Sequence, residues 1–461
     1  MIALTHTRGQ TWAVFGLARS GLATARALLA GGAEVRVWDD TEASRAAAAE
    51  AGFQPMQLHE GALVGCTGLA LAPGVPLTHP VPNQVVANAQ RAGVPVIGDI
   101  ELLLRELKPV VYGITGTNGK STTTALLAHV LKTAGRSIAM GGNIGQAVLE
   151  LPRFDSAEDG AYVIEMSSFQ IDLTPGWQAR IALLLNITSD HLDRHGSMQN
   201  YAAIKARIFA GQAAGDTAVI GVDDDHCRAI HTALIRENSG RAIVPVSIQR
   251  VLEQGVSAVN GRLYENGQVV FMLDFPALPG AHNGQNIAAA FAAARAAGLD
   301  AESIRAGIAS FPGLKHRLQR VGSIDGIACI NDSKATNADS AEKALAAFEN
   351  VYWIAGGKAK EGGIASLKAL FPRIRRASLI GEAASDFAST LGTVPHALCG
   401  TLDKALDDAL AAARKDRIKD AVVLLSPACA SYDQFKSFEH RGDEFIRLVQ
   451  ERGANEQGAA A

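Results

Sequence analysis

Apolar residues in this chain come in short runs, each followed by a glycine turn and then by a longer stretch with apolar positions three or four apart. Thr11 to Phe15 is one such run. Gly16 to Gly21 follows as a turn, Leu22 to Ala30 as a helix ended by Gly31-Gly32, and Glu34 to Trp38 as a second strand closing on Asp39-Asp40. Strand, glycine turn, helix and strand in alternation predict a parallel sheet with helices on its faces. After a helical stretch over 100–107 and the pair Lys108-Pro109, the apolar run Val110-Val111-Tyr112 opens a second such unit. Further strands are predicted over 162–164, 181–185 and 218–220. A long alanine-rich helix begins near Asn286 and leads to Phe311-Pro312-Gly313. A third pattern then places strands over 327–330, 351–355, 377–380 and 422–425. The fold class is α/β, with three domains expected over 1–108, 109–313 and 314–461.

Composition narrows the classes. Of 461 residues, 48% are hydrophobic and spread along the chain, which excludes intrinsic disorder. Lys and Arg (43) nearly balance Asp and Glu (46), so nothing points to a nucleic-acid surface or a polybasic membrane surface. Five cysteines, an odd number with no CxxC pair, argue against a disulfide framework and a structural zinc site. The stretch Met1 to Arg8 lacks a basic segment leading into an apolar core, and no apolar run approaches the ~18 residues of a membrane span. A reduced, cytoplasmic enzyme without membrane insertion is expected, acting as a monomer.

The strongest local signal is Gly113 to Ser121, GITGTNGKS, between a strand and a helix. Glycines let successive N–H groups point into one concavity that suits phosphate oxygens. Gly113, Thr115, Gly116, Thr117, Asn118, Gly119 and Thr122 are the expected cradle. Lys120 is expected at the β/γ-phosphates, and the Ser121 hydroxyl on Mg²⁺. The outer glycines are six positions apart rather than the five of the standard P-loop. The turn Gly16 to Gly21 is less decisive: Ala18 stands where a dinucleotide fingerprint has its middle glycine. Ala18, Arg19, Ser20, Asp39 and Asp40 suit another nucleotide, or a purely structural turn, better than NAD.

Other polar groups sit at predicted strand ends, where open α/β sheets bind ligands. Glu165 ends the run Tyr162-Val163-Ile164 and is a candidate Mg²⁺ ligand, or else a structurally paired acid. In Asp190-His191-Leu192-Asp193-Arg194-His195, the turn-like flanks and Gly196 argue against a helix and hence against a transition-metal site. His191 is the functional candidate and His195 is expected at the surface. Lys205, beside Ile204 and Ile208 on a predicted helix, reads as a snorkelling lysine. Asp223-Asp224-Asp225 reads as a turn or helix cap, and Cys429 as a packed thiol.

Together, GITGTNGKS at 113–121, GGNIG at 141–145, EMSSFQ at 165–170 and DHLD at 190–193 resemble the Mur ligases of peptidoglycan synthesis. NDSKATN at 331–337 and SPACASYDQF at 426–435 resemble the branch of that family that adds D-glutamate. The likeness runs in order along nearly the whole chain, with departures in the first domain, Arg19 among them. It implies an N-terminal Rossmann-like domain for a UDP-sugar, a central P-loop-type ATPase α/β domain, and a C-terminal Rossmann-like domain for the incoming amino acid.

The resemblance also implies substrates and roles. The substrates would be ATP, UDP-N-acetylmuramoyl-L-alanine and D-glutamate, with two Mg²⁺ ions. Lys120, Glu165, His191 and Lys205 would be catalytic. Ser121 and Glu165 would hold one Mg²⁺, and His191 with a carbamylated Lys205 the second; an ammonium offers Mg²⁺ no ligand, a carbamate does. Asn283, Asn286, Arg317 and Asp332 match positions around the nucleotide, and Asn143 a position near the sugar substrate. Lys334, Thr336, Lys360, Ser431 and Phe438 match D-glutamate positions. A related Mur or folylpolyglutamate-type ligase, and a P-loop ATPase that couples hydrolysis to a partner, remain the competing readings.

Overall fold

The computed structural model describes residues 1–280, 282–359 and 362–454. Among these residues, three sheets carry the fold. The first holds four parallel strands in the order Glu34–Trp38, Thr11–Phe15, Gly68–Leu71, Val96–Ile97. The second has nine strands. From one edge they run Ile138–Gly142, Ala161–Glu165, Val110–Thr115, Ile181–Leu184, Thr217–Gly221 and Ala242–Ser247, all parallel. Val256–Val259 continues the parallel set, and the hairpin strands Arg262–Glu265 and Gln268–Met272 close the other edge. The third sheet runs Gln319–Ile324, Ile327–Asn331, Ala421–Leu425, Asn350–Gly356, Ile374–Ile380, His396–Gly400, parallel except for its first pair.

The uninterrupted apolar runs are explained by this order. Ala161–Glu165, Ile181–Leu184 and Thr217–Gly221 are buried at every position, as strands covered on both faces must be. In the third sheet, Trp353 joins Leu367 and Phe387 in one apolar cluster while its neighbour Tyr352 joins Leu406 and Phe445 in another. That is the two-residue alternation of a strand between two helical layers.

The chain divides into two compact units, Met1–Leu273 with Gly284–Ser310, and Asp274–Asn283 with Phe311–Ala461. Within the first, one apolar cluster runs from Trp12 and Leu28 beside the first sheet to Leu149 and Tyr162 beside the second. Ile2 N–H donates to the Leu149 carbonyl at 2.7 Å. The Glu106 side chain, only 3% exposed, accepts from the Thr5 hydroxyl, the His6 ring and Arg153. All five cysteines are free, Cys429 buried among them. Among the described residues, no helix is long and apolar enough to cross a membrane.

Candidate active site

The strand Val110–Thr115 lies between Ala161–Glu165 and Ile181–Leu184, so its carboxyl end opens into an interior crevice of the sheet. The chain leaves it at Gly116 and enters the helix Lys120–Thr133 through Gly119. Gly119 has φ +83°, and a Cβ there would come within 2.3 Å of Asn286 Oδ1, so glycine is required on both counts. Lys120 folds back over the turn, its Nζ donating to the carbonyls of Gly116 (2.9 Å) and Thr117 (2.8 Å). The turn is braced from the next strand end. Asn186 accepts from Asn118 N–H (2.8 Å) and donates to Gln285 Oε1 (2.7 Å), while Gln285 Nε2 donates to the Leu185 carbonyl. Gly113 lies within the strand and Thr115 ends it; Ser121 and Thr122 stand in the helix's first turn.

Lys205 is not a snorkelling lysine. It lies on the helix Met198–Ala206, only 1% exposed, and its Nζ donates to the Gly116 carbonyl at 2.8 Å. The Gly116 carbonyl therefore accepts from two lysine nitrogens, those of Lys120 and Lys205. Burial, and then the charge of Lys120, hold the Lys205 amine well below the usual lysine range. The local pattern missed this because Lys205 is buried against Thr115 and the glycine turn, about 90 residues away in sequence, rather than by its own helix.

Glu165 is 1% exposed. Its Oε1 accepts from Asn143 Nδ2 at 2.8 Å, and its Oε2 has no hydrogen-bond partner. A buried, unpartnered carboxylate oxygen costs about 1–3 kcal/mol or more. Beside the glycine turn it is a hard oxygen donor, a type that fits a Mg²⁺ ion.

His191 has left-handed backbone, φ 51°, and precedes the short helix Leu192–His195. A helical turn therefore forms where none was expected. His195 is a second correction: it is buried, 4% exposed, with Nε2 2.9 Å from Ser168 Oγ. Both imidazoles pack on Phe169, at ring separations of 4.9 and 5.4 Å. His191 stays half exposed. Burial lowers its pKa; Asp190 opposes that and Lys120 adds to it. Among the described residues, no three His, Cys, Asp or Glu side chains gather as a metal site. Asp224 caps the helix Asp225–Glu237, accepting from Cys227 N–H, as expected of that acidic run.

The remaining candidates form separate groups. At the end of the first sheet, Ala18 precedes the helix Arg19–Gly31 without a side-chain cap, and Ala18 and Arg19 are exposed. Ser20 follows Arg19 in that helix's first turn, and Asp40 is exposed beside Asp39. Asp39 accepts from Leu17 N–H (2.6 Å) and Thr41 N–H (2.7 Å). Asn283 and Asn286 stand on the helix His282–Ala296, with Thr123 Oγ1 donating to Asn286 Oδ1.

In the second unit, Asp332 accepts from Leu318 N–H and the Ser426 hydroxyl, and burial raises its pKa to about 7. Arg317 is exposed and Ser431 buried. Lys334 Nζ sits 3.8 Å from the Phe438 ring centre, and Thr336 follows on the same loop. Lys360 lies outside the described residues.

Three participants were not anticipated. Tyr201 lies under Lys205 and hydrogen-bonds Thr117. Gln285 braces Asn186; its signal was an amide pair, Gln285-Asn286, opening an alanine helix. Arg441, wholly buried, donates to Ser333 Oγ and the Ser333 and Cys429 carbonyls, and its Nη1 has no partner. Burial lowers its pKa to about 10.

Two family models match: the Mur ligase middle domain over residues 114–294, and the Mur ligase, glutamate ligase domain over 316–429. The chain is 51% identical, over the full length of both chains, to the UDP-N-acetylmuramoylalanine–D-glutamate ligase of Paramagnetospirillum magneticum. It is 50% identical to the protein of that name in Agrobacterium fabrum, with 97% of each chain covered. The crystal structure of the UDP-N-acetylmuramate–alanine ligase of Thermotoga maritima shares the fold, at a TM-score of 0.60 and 18% identity, covering 96% of this chain and 99% of that one.

Proposed function

The chain belongs to the Mur ligase family, and from that premise we propose that it joins D-glutamate to UDP-N-acetylmuramoyl-L-alanine, using ATP. The observation that carries the chemistry is the meeting of Lys120 and Lys205 on the Gly116 carbonyl, on the same turn whose neighbouring strand ends in the unpartnered oxygen of Glu165.

A carboxylate resists attack by an amine because it is already an anion and its leaving group would be oxide. Transfer of the γ-phosphoryl group of ATP to an oxygen of the L-alanyl carboxylate releases ADP and leaves an acyl phosphate. The neutral amine of D-glutamate then attacks the acyl carbon, loses its proton, and phosphate departs as the amide forms. In this reading the turn 113–122 binds the phosphates, and Lys120 neutralises charge building on the transferring oxygens. Asn283, Asn286, Arg317 and Asp332 hold the nucleotide. Ala18, Arg19, Ser20, Asp39, Asp40 and Asn143 hold the UDP-sugar. Lys334, Thr336, Lys360, Ser431 and Phe438 hold D-glutamate. The three sheets serve as the frames of three domains, 1–108, 109–313 and 314–461, in a cytoplasmic monomer.

Ser121 and Glu165 would hold one Mg²⁺, and His191 with a carbamate on Lys205 would hold a second; such ions would supply neutralisation of phosphate charge. Carbamylation needs a neutral amine, and the burial of Lys205 supports that state. Phosphate release should require the UDP-sugar and D-glutamate together. Release without either acceptor would favour the ATPase reading, and a preference for L-glutamate would overturn the substrate assignment while leaving the ligase class.

A further inference from the structure

The turn after the strand Gly68–Leu71 shares a crevice with the glycine turn 16–21. Ala72 N–H donates to the Phe15 carbonyl at 2.9 Å, and a Cβ on Gly16 would come within 2.5 Å of Ala72 Cβ. That same turn is gripped from the second sheet by one side chain. Arg194 Nη1 donates to the Gly74 carbonyl (2.9 Å), and its Nη2 to those of Val75 (2.8 Å) and Pro73 (3.4 Å). The guanidinium lies 4.4 Å from the centre of the Phe169 ring, which carries His191 on its other contacts. A second contact repeats the link: His79 is seated on Gly196, where a Cβ would come within 2.9 Å of its Nε2.

We propose that Arg194 is a positioning residue that couples the UDP end of the acceptor site to His191, so that binding of the diphosphate aligns the distant carboxyl with the phosphate turn. The inference rests on the reading above, in which the turn 16–21 receives UDP. A planar fork with several donors fixes three successive carbonyls at once, which a flexible ammonium does not. Binding energy from a remote group speeds a reaction only when a stiff connection turns it into alignment at the reacting atoms.

The test is hydrogen exchange on the full chain, with UDP alone as probe, on the wild type, Arg194→Met and Arg194→Lys. In the wild type, UDP should slow exchange of the amides over 16–21 and also over 191–196. In Arg194→Met, protection over 16–21 should persist while protection over 191–196 disappears, and Arg194→Lys should restore it only in part. Turnover of the full acceptor by Arg194→Met should fall about tenfold to a hundredfold at saturating substrate, with the KM for ATP unchanged. Where Arg194→Met does not fold, the Lys variant carries the same comparison. Protection over 191–196 that survives in the variants, or is absent in the wild type while 16–21 is protected, overturns the coupling. Absence of protection over 16–21 in the wild type overturns instead the UDP reading of that turn, and the coupling with it.

Discussion

Glu106, at the seam between the first two sheets, and Glu165, at the mouth of the phosphate crevice, are glutamates with almost wholly buried side chains, 3% and 1% exposed. Their surroundings treat them oppositely. Glu106 accepts from the Thr5 hydroxyl, from the His6 backbone and ring, and from Arg153, so both its oxygens are used. Glu165 has one amide partner on one oxygen and none on the other. A buried carboxylate that is fully paired holds a structure together. One left half-paired destabilises the fold unless a ligand completes it. Saturation of the acid, rather than its burial, separates the two roles.

The largest effects should therefore fall at the crevice and leave the seam untouched. Lys120→Ala should lower turnover by about a thousandfold or more, because it removes charge where the transferring phosphoryl group develops it. Single-turnover phosphate release measures this; near-normal rates would make the turn a structural device.

Lys205→Ala should cost about a hundredfold or more and leave the melting temperature within a few degrees, since the amine is desolvated at a loss. Added short carboxylates should restore part of the rate by returning the missing oxygens, and Lys205→Arg should not. ¹³C-labelled CO₂ should give a carbamate carbon resonance that Lys205→Ala lacks. A fully active enzyme without that resonance would remove the carbamate from the mechanism.

Glu165→Gln sharpens the contrast most directly. Turnover should fall about a hundredfold and the Mg²⁺ requirement should rise, yet thermal stability should hold or increase, because the substitution removes a half-paired buried carboxyl. Loss of stability with activity kept would invert the assignment of the two acids.

How much of this was legible in the sequence divides along the same line. The strand–turn–helix units and the turn 113–121 were readable because they are local: glycine positions and apolar runs specify them within a few residues. The hairpins at 260–261 and 266–267 carried the Asn-Gly signal with left-handed Asn260 and Asn266, but the strands they join are only four or five residues long. Burial of Lys205 and His195 was not readable, since each is covered by an element distant in sequence. The resemblance to a family, not the local pattern, assigned Lys205 a role. Nor did spacing reveal that Glu165 would be half-paired and Glu106 saturated, because hydrogen-bond count is a tertiary property.

The smallest effect expected is at the seam. Glu106→Gln should leave kcat unchanged and lower stability by about 1–2 kcal/mol, through weaker bonds to His6, Thr5 and Arg153. Its pH dependence has a definite sign. Burial by itself raises the Glu106 pKa, but hydrogen bonds from His6, Thr5 and Arg153 outweigh it and bring the pKa from the usual 4.5 to about 2. A carboxyl depressed in the folded state contributes its stability in full above the unfolded value and loses it as pH falls through the folded value. The stability gap between wild type and Glu106→Gln should accordingly be constant above about pH 5 and close between about pH 4.5 and pH 2. Denaturant melts at pH 7, 4 and 3 measure it. A gap that widens toward low pH would mean that the seam is held by the protonated acid, and the contrast with Glu165 would then rest on something other than paired charge.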